Sequence, residues 1–301
     1  MPQREPLPKT LTFTHPSGRE ITLNFQKPLV MGILNITPDS FSDGGQFFTL
    51  ESALTQALKL IHEGADILDL GAETTRPGSE PTPEKEEWQR LAPVLEALLS
   101  RKDCPPISVD TYKAPIAEKA VLAGASIIND IYAGRKDPRI FEVAQTLGVP
   151  LILMHMQGEP RNMQFSPHYD DVVAEVREFL AQRAQIALDS GIPRERIILD
   201  PGLGFGKTAE HNLTLLNHFE EVIPPGFHSL MALSRKAFLG HILDGASPEQ
   251  RDGASAIANA IAILKGAEIV RVHNVKTTIE ALAVIQAIQN ESPKISPNVN
   301  Q

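Results

Sequence analysis

Cysteine is almost absent: among 301 residues only Cys104 carries a thiol. A lone thiol excludes an internal disulfide and any zinc site built on several thiolates, and it fits a reducing compartment. The expected role of Cys104 is that of a small buried apolar residue. Long hydrophobic runs are missing as well, since no apolar stretch approaches the roughly 18 residues of a membrane span. The opening residues, MPQREPLPKT, hold charge and proline where a secretion signal needs an apolar segment. A cytoplasmic protein with no membrane contact is therefore expected. Positive charge is in deficit: 28 Lys and Arg face 37 Asp and Glu, a net charge of −9. Such a balance excludes a global field that draws nucleic acid, so an anionic ligand has to be met by a local cluster of cations. What is present is ordinary for a folded domain, with 42% hydrophobic and 22% charged residues.

After a small hairpin, LTFT and ITLNF around His15-Pro16-Ser17-Gly18, short apolar runs alternate with helical periodicity. The runs are LVMGIL (29–34), DILDL (66–70), PISVD (106–110), SIIND (126–130), PLILM (150–154), RIILD (196–200), SLMAL (229–233) and EIVRV (268–272). Eight strands that are near-continuous apolar runs, not alternating ones, suit a closed parallel sheet covered by helices. Leu54, Ala57, Leu58 and Ile61 form one helical stripe, and Trp88, Leu91, Leu95 and Leu98 another. Thr82-Pro83 and Asp137-Pro138 read as N-cap followed by N1, and Ser247-Pro248-Glu249-Gln250 as a capping box. The expected fold is an α/β (β/α)₈ TIM barrel with an N-terminal β-hairpin. The hairpin segment (1–28) belongs to the barrel domain (29–290), and a frayed tail follows (291–301). An open doubly wound sheet is the alternative topology.

Polar residues follow every run: Asn35, Thr75 and Arg76, Asp110, Asn129, His155, Asp200, Ser234 with Lys236, and Arg271 with His273. Each alone reads as a turn former, but in a barrel they converge on the C-terminal mouth, where sites of this fold lie. Two connections, Asn35 to Leu50 and ETTRPGSEPTPEKEE (73–87), are longer than usual for this architecture and suit ligand covers. Phe41, Phe47 and Phe48 in the first have no periodic face to bury them. Arg76 suits an anionic oxygen, with a surface ion pair to the acids after it as the alternative. DPGLGFGK (200–207) fails both phosphate-loop and dinucleotide patterns, so Gly202 and Gly204 are expected to bring backbone close to a flat ligand. Asp110, Asn129 and Asp200 would form a floor that demands a donor-rich heterocycle, such as a 2-amino-4-oxo-pteridine, or else internal ion pairs. SRK (234–236) and RVHN (271–274) add three cations and an imidazole. His155 reads as structural.

MGILNITPDSFSDGG, ETTRPG, SVDT, IIND, LMHMQGEP, DPGLGFGK, SRK and RVHN occur in this order, and on them the chain resembles the dihydropteroate synthases from residue 29 to about 285. The resemblance implies a dimeric barrel transferase of folate biosynthesis. It would condense 6-hydroxymethyl-7,8-dihydropterin diphosphate with 4-aminobenzoate, with Mg²⁺. It implies that Asp110, Asn129, Asp200 and Lys236 hold the pterin, with Met154 and Phe205 shaping its slot. Arg271 would stack on the ring and, with Asn35, Arg76 and His273, bind the diphosphate, and Asn35 would also hold the metal. Thr75, Pro77 and Ser234 would take 4-aminobenzoate, with Phe41 closing over it. Ala72, Thr74, Ala232 and Asn274 depart from the family's usual Gly, Ser, Gly and Asp.

The mechanism implied is departure of diphosphate before amine attack, with Asp110, Lys236 and Arg271 as the catalytic groups and no protein nucleophile, since Ser234 has no evident His and Asp partners arranged for its activation. A pterin-binding methyltransferase acting on a corrinoid would not need the Asn35 loop or the SRK cation. A catalytically silent pterin binder would not need every charged position filled.

Overall fold

Eight short apolar runs need cover on both faces, and a sheet closed on itself inside a ring of helices supplies it. The computed structural model describes residues 7–37, 49–74 and 79–291. The strands β3 (Leu29–Asn35), β4 (Ile67–Gly71), β5 (Ile107–Asp110), β6 (Ile127–Asp130), β7 (Leu151–Met154), β8 (Ile197–Asp200), β9 (His228–Met231) and β10 (Ile269–Val272) form the barrel. They close in the order β10-β3-β4-β5-β6-β7-β8-β9, which bears out the expected barrel and excludes the open sheet. Around them lie α1 (Leu50–His62), α2 (Glu84–Leu99), α3 (Ala114–Ala123), α4 (Arg139–Leu147), α5 (Val172–Asp189), α6 (Ala209–Asn217), α7 (Phe219–Val222), α8 (Ala237–Ile242), α9 (Asp252–Leu264) and α10 (Val275–Gln289). Met31, Leu68, Ile127, Ile152, Leu199 and Val270 are wholly buried in the barrel wall. Each such side chain contributes about 1.5–3 kcal/mol.

The hairpin of β1 (Thr10–Thr14) and β2 (Glu20–Asn24) lies across the N-terminal ends of the strands. Leu11, Phe13 and Leu23 face inward. His15 Nε2 donates to the carbonyls of Val121 and Ala125 at 3.0 and 3.1 Å, and Arg19 donates to Gly124 O at 3.0 Å. Burial and these bonds close the floor of the barrel and leave the opposite mouth open to ligands.

Two local expectations are corrected. On α1 Ala57 is buried and Leu54 and Ile61 pack against the core as expected, but Leu58 is exposed, and Ala53 and Leu60 are the other buried residues. Thr82 does not cap α2: its N–H donates to Glu73 Oε2 and its carbonyl accepts from Lys113 Nζ, so Pro83 takes the cap position without a side-chain bond. Asp137 does cap α4 as expected: its Oδ1 accepts the Arg139 backbone N–H at 3.3 Å and Pro138 already has helical φ and ψ, while Asp137 Oδ2 accepts from Ala114 N. The Ser247–Gln250 capping box is formed. Cys104 is half-buried, and burial pushes its thiol up to about 11.

Candidate active site

Strand register places the polar ends in one rim. Asn35 pairs with Gly71, Gly71 with Asp110, and Asp110 with Asn129, while Met154 pairs with Asp200. From the far side of the closed sheet Arg271 reaches across the mouth. Its Nη2 donates to Asp110 Oδ2 at 2.8 Å and its Nε to Asp69 Oδ2 at 2.6 Å. Asn129 Nδ2 donates to the same Asp69 carboxylate at 3.2 and 3.4 Å. Thus Asp110, Asn129 and Arg271 do come together, but around Asp69, a residue that strand-end reasoning missed. Its one signal was an acid in the middle of an apolar strand.

Burial decides the protonation tendencies here. It pushes the Asp110 carboxyl well up, against the pull of Arg271 and with the help of Asp69. It raises Asp200 to about 6, opposed by the Gly202 N–H and by Lys236. It lowers Lys236 to about 8, opposed by Asp200. Burial also works against the Arg271 charge, yet Asp69 and Asp110 hold that group above its ordinary range. Lys236 Nζ stands 4.2 Å from the centre of the Phe205 ring. Met154, Met156, Met163, Ile131 and Tyr132 make a second apolar cluster beside the main core, and Tyr112 and Phe205 pack on it.

The glycine segment after β8 behaves differently from expectation. Gly202 has φ +64°, and a Cβ there would stand 1.9 Å from His155 O; at Gly206 it would stand 2.3 Å from Gln157 O. These glycines press the segment onto the backbone after β7, and only Gly204, beside the Lys236 stem, faces the mouth. Buried Lys207 ties the segment together by donating to Gly202 O at 2.9 Å, Phe205 O at 3.1 Å and His155 Nδ1 at 2.8 Å. Three acceptors match the three protons of an ammonium, although burial pushes Lys207 well below its usual range. His155, lowered by burial to about 2, is a neutral acceptor in this tie.

At the last two strand ends one further expectation is corrected. Ser234 Oγ lies 3.0 Å from His273 Nδ1 and accepts the His273 backbone N–H. Burial lowers His273 to about 3, so the imidazole is neutral. Among the described residues no carboxylate bonds that imidazole, so no nucleophilic triad forms. Arg235 is not a mouth cation. It sits at φ +59° and is held by a two-point ion pair to Asp252, at 2.7 and 3.0 Å. Asn274 Nδ2 donates to Asp252 as well, a bond that an Asp at this position could not make while ionised. Asn274 also caps α10.

A second group missed from sequence underlies the connection after β4. Lys113 Nζ donates to Glu73, to Glu87 Oε2 and to Thr82 O, and Thr111 donates to Glu87 Oε1 at 2.6 Å. Phe41, Thr75, Arg76 and Pro77 lie outside the described residues.

A sequence model of the family described as "Pterin binding enzyme" matches residues 31–273. The dihydropteroate synthase of Haemophilus influenzae is 46% identical over 268 residues, covering 89% of this chain and 96% of that protein. Among solved structures, the Xanthomonas albilineans dihydropteroate synthase with 4-aminobenzoic acid superposes with a TM-score of 0.84 at 45% identity, over 91% of this chain and 96% of that one. The same enzyme in complex with 7,8-dihydropteroate gives 0.80 at 43% identity, over 89% and 96%.

Proposed function

The chain belongs to the dihydropteroate synthases among the pterin-binding enzymes, and on that footing we propose that it is the transferase that joins 6-hydroxymethyl-7,8-dihydropterin diphosphate to 4-aminobenzoate, releasing 7,8-dihydropteroate and diphosphate in folate biosynthesis. The observation that carries the site assignment is the hydrogen-bond pattern left open at the mouth. Asp110 Oδ1, Asn129 Oδ1 and Asp200 Oδ2 have no hydrogen bond among the described residues, and Lys236 Nζ forms no ion pair among them. Three acceptors beside one ammonium complement a 2-amino-4-oxo-pteridine, whose amino group and ring N–H donate and whose O4 accepts. Met154 and Phe205 supply apolar walls for its faces.

Arg271 and His273 would receive the diphosphate, together with Asn35 and Arg76. A magnesium ion fits this rim in one way. Among the described residues there is no group of three or more His, Cys, Asp and Glu to hold a metal, whereas half-buried Asn35 offers an amide oxygen with no hydrogen bond among them. Mg²⁺ characteristically uses one or two protein oxygens with substrate phosphates, where it neutralises charge on the leaving group.

The C–O bond to diphosphate breaks first, with the electron pair leaving on oxygen; the arylamine nitrogen then attacks the cationic methylene carbon and gives up a proton to the departed diphosphate or to water. Arg271 and Lys236 stabilise the departing anion, and Asp110 the positive charge on the pterin. Ser234 would take part in binding 4-aminobenzoate, and by the family resemblance Thr75, Pro77 and Phe41 would complete that subsite. Mixing the purified protein with Mg²⁺ and both substrates should yield 7,8-dihydropteroate by mass spectrometry; diphosphate release without consumption of the amine, or no product at all, overturns the assignment.

The partner we assign is a second copy of the chain. Ile257, Ile261 and Leu264 on α9 and Val284 and Ile288 on α10 are 40–71% exposed, and the two helices are neighbours. An apolar strip of this kind on a folded domain marks an interface. The hairpin and barrel make one domain in this reading. A cytoplasmic location accords with the single cysteine, and among the described residues no helix is long and apolar enough to cross a membrane.

A further inference from the structure

We infer that Asp69 is a positioning residue for the pterin pocket: by accepting from Arg271 and Asn129 together, it fixes the guanidinium plane and turns Asn129 Oδ1 toward the ligand. This rests on the pterin-binding reading above. Asp69 lies in the middle of β4 between Leu68 and Leu70 and is wholly buried, so it acts through its neighbours and not on substrate. An isolated carboxylate there would cost several kcal/mol; Arg271 Nε at 2.6 Å and Asn129 Nδ2 at 3.2 and 3.4 Å answer it.

An ionised carboxylate can only accept, so the Asn129 atom that faces Asp69 has to be Nδ2. Oδ1 is thereby set on the other side, where it carries no hydrogen bond among the described residues. Asp69 in this way makes Asn129 an acceptor for the ligand. Arg271 is held similarly, since its Nε is committed to Asp69 on β4 and its Nη2 to Asp110 on β5, two anchors that fix a planar group.

The consequence is chemical discrimination. A pterin presents a 2-amino donor, and the matching lumazine presents a 2-oxo acceptor in its place. With Asn129 fixed as an acceptor the pocket rejects the lumazine; with the amide free to rotate it accepts both. The test is calorimetric titration of the wild-type protein, Asp69→Asn, Asn129→Leu and the double variant with 6-hydroxymethylpterin and 6-hydroxymethyllumazine, with thermal unfolding followed in parallel. The preference for the pterin should fall about tenfold or more in Asp69→Asn, a figure that corresponds to one hydrogen bond. It should fall similarly in Asn129→Leu, and no further in the double variant.

A purely structural Asp69 would weaken both ligands alike and leave the ratio unchanged, and that result overturns the inference. Should Asp69→Asn not fold, a crystal structure of the wild-type protein with 6-hydroxymethylpterin decides. Asp69 accepting from Asn129 Nδ2 with Oδ1 against a ring donor supports the inference, and Asp69 stripped of both contacts overturns it. Failure of the underlying reading looks different, because the wild-type protein would then bind neither compound.

Discussion

Asp200 is useful in a form that its surroundings disfavour. Burial raises its pKa to about 6, above the value of about 3.9 expected in the unfolded chain. Between those values the folded state binds more protons, so stability falls as pH rises through the window, and the penalty is complete above it. Asp200→Asn keeps an acceptor for Gly202 N–H and removes the charge. It should raise thermal stability at neutral pH by on the order of 2 kcal/mol while weakening pterin binding at least about a hundredfold. A variant that loses both stability and binding would mark Asp200 as structural. With Lys236 lowered to about 8, kcat/KM for the pterin diphosphate should decline below about pH 7 as Asp110 and then Asp200 are protonated, and above about pH 8 as Lys236 loses its proton. A profile flat from pH 5.5 to 9 would contradict both roles. The rim residues were readable because each follows an apolar run. Asp69, Lys113 and Lys207 were not, for in sequence each is a single charge whose partners lie 26 to 202 positions away or in a loop of unknown path.

The strands were legible because a barrel wall is built mostly of apolar residues, and Leu29–Asn35 through Ile269–Val272 fall within a residue or two of the runs that sequence shows. Helix faces were less so in detail, since on α1 Leu54, Ala57 and Ile61 turn inward but the expected fourth member, Leu58, is exposed while Leu60 is buried. The glycine segment after β8 was misread because a glycine that admits a ligand and one that admits a neighbouring backbone have the same signature. Gly202→Ala separates them. The methyl group would collide with His155 O in a backbone conformation that L residues rarely adopt, so at least about 3 kcal/mol of stability and most pterin binding should be lost. Gly245→Ala, also at positive φ but in open space, should cost only about 1 kcal/mol and leave binding intact. Equal effects of the two on thermal unfolding would show that conformation alone, and not the contact with β7, holds the segment.

The molecule divides its two ends by task, with the hairpin sealing the strand N-termini and the charged rim at the opposite mouth. The exposed apolar strip on α9 and α10 belongs to neither end and leaves the rim free. Ile261→Asp should convert a dimer to a monomer in sedimentation velocity with the unfolding midpoint of the monomer little changed; an unaltered dimer would move the interface elsewhere. The central claim is that acceptors for a heterocycle and cations for its leaving group form one site. Calorimetric affinities of 6-hydroxymethyl-7,8-dihydropterin and of its diphosphate, each for the wild-type protein and for Asp200→Ala, test it most directly. The diphosphate should bind the wild-type protein at least about tenfold more tightly than the alcohol, and Asp200→Ala should lose both. Equal affinity for the two ligands, or undiminished binding by Asp200→Ala, would contradict the single site.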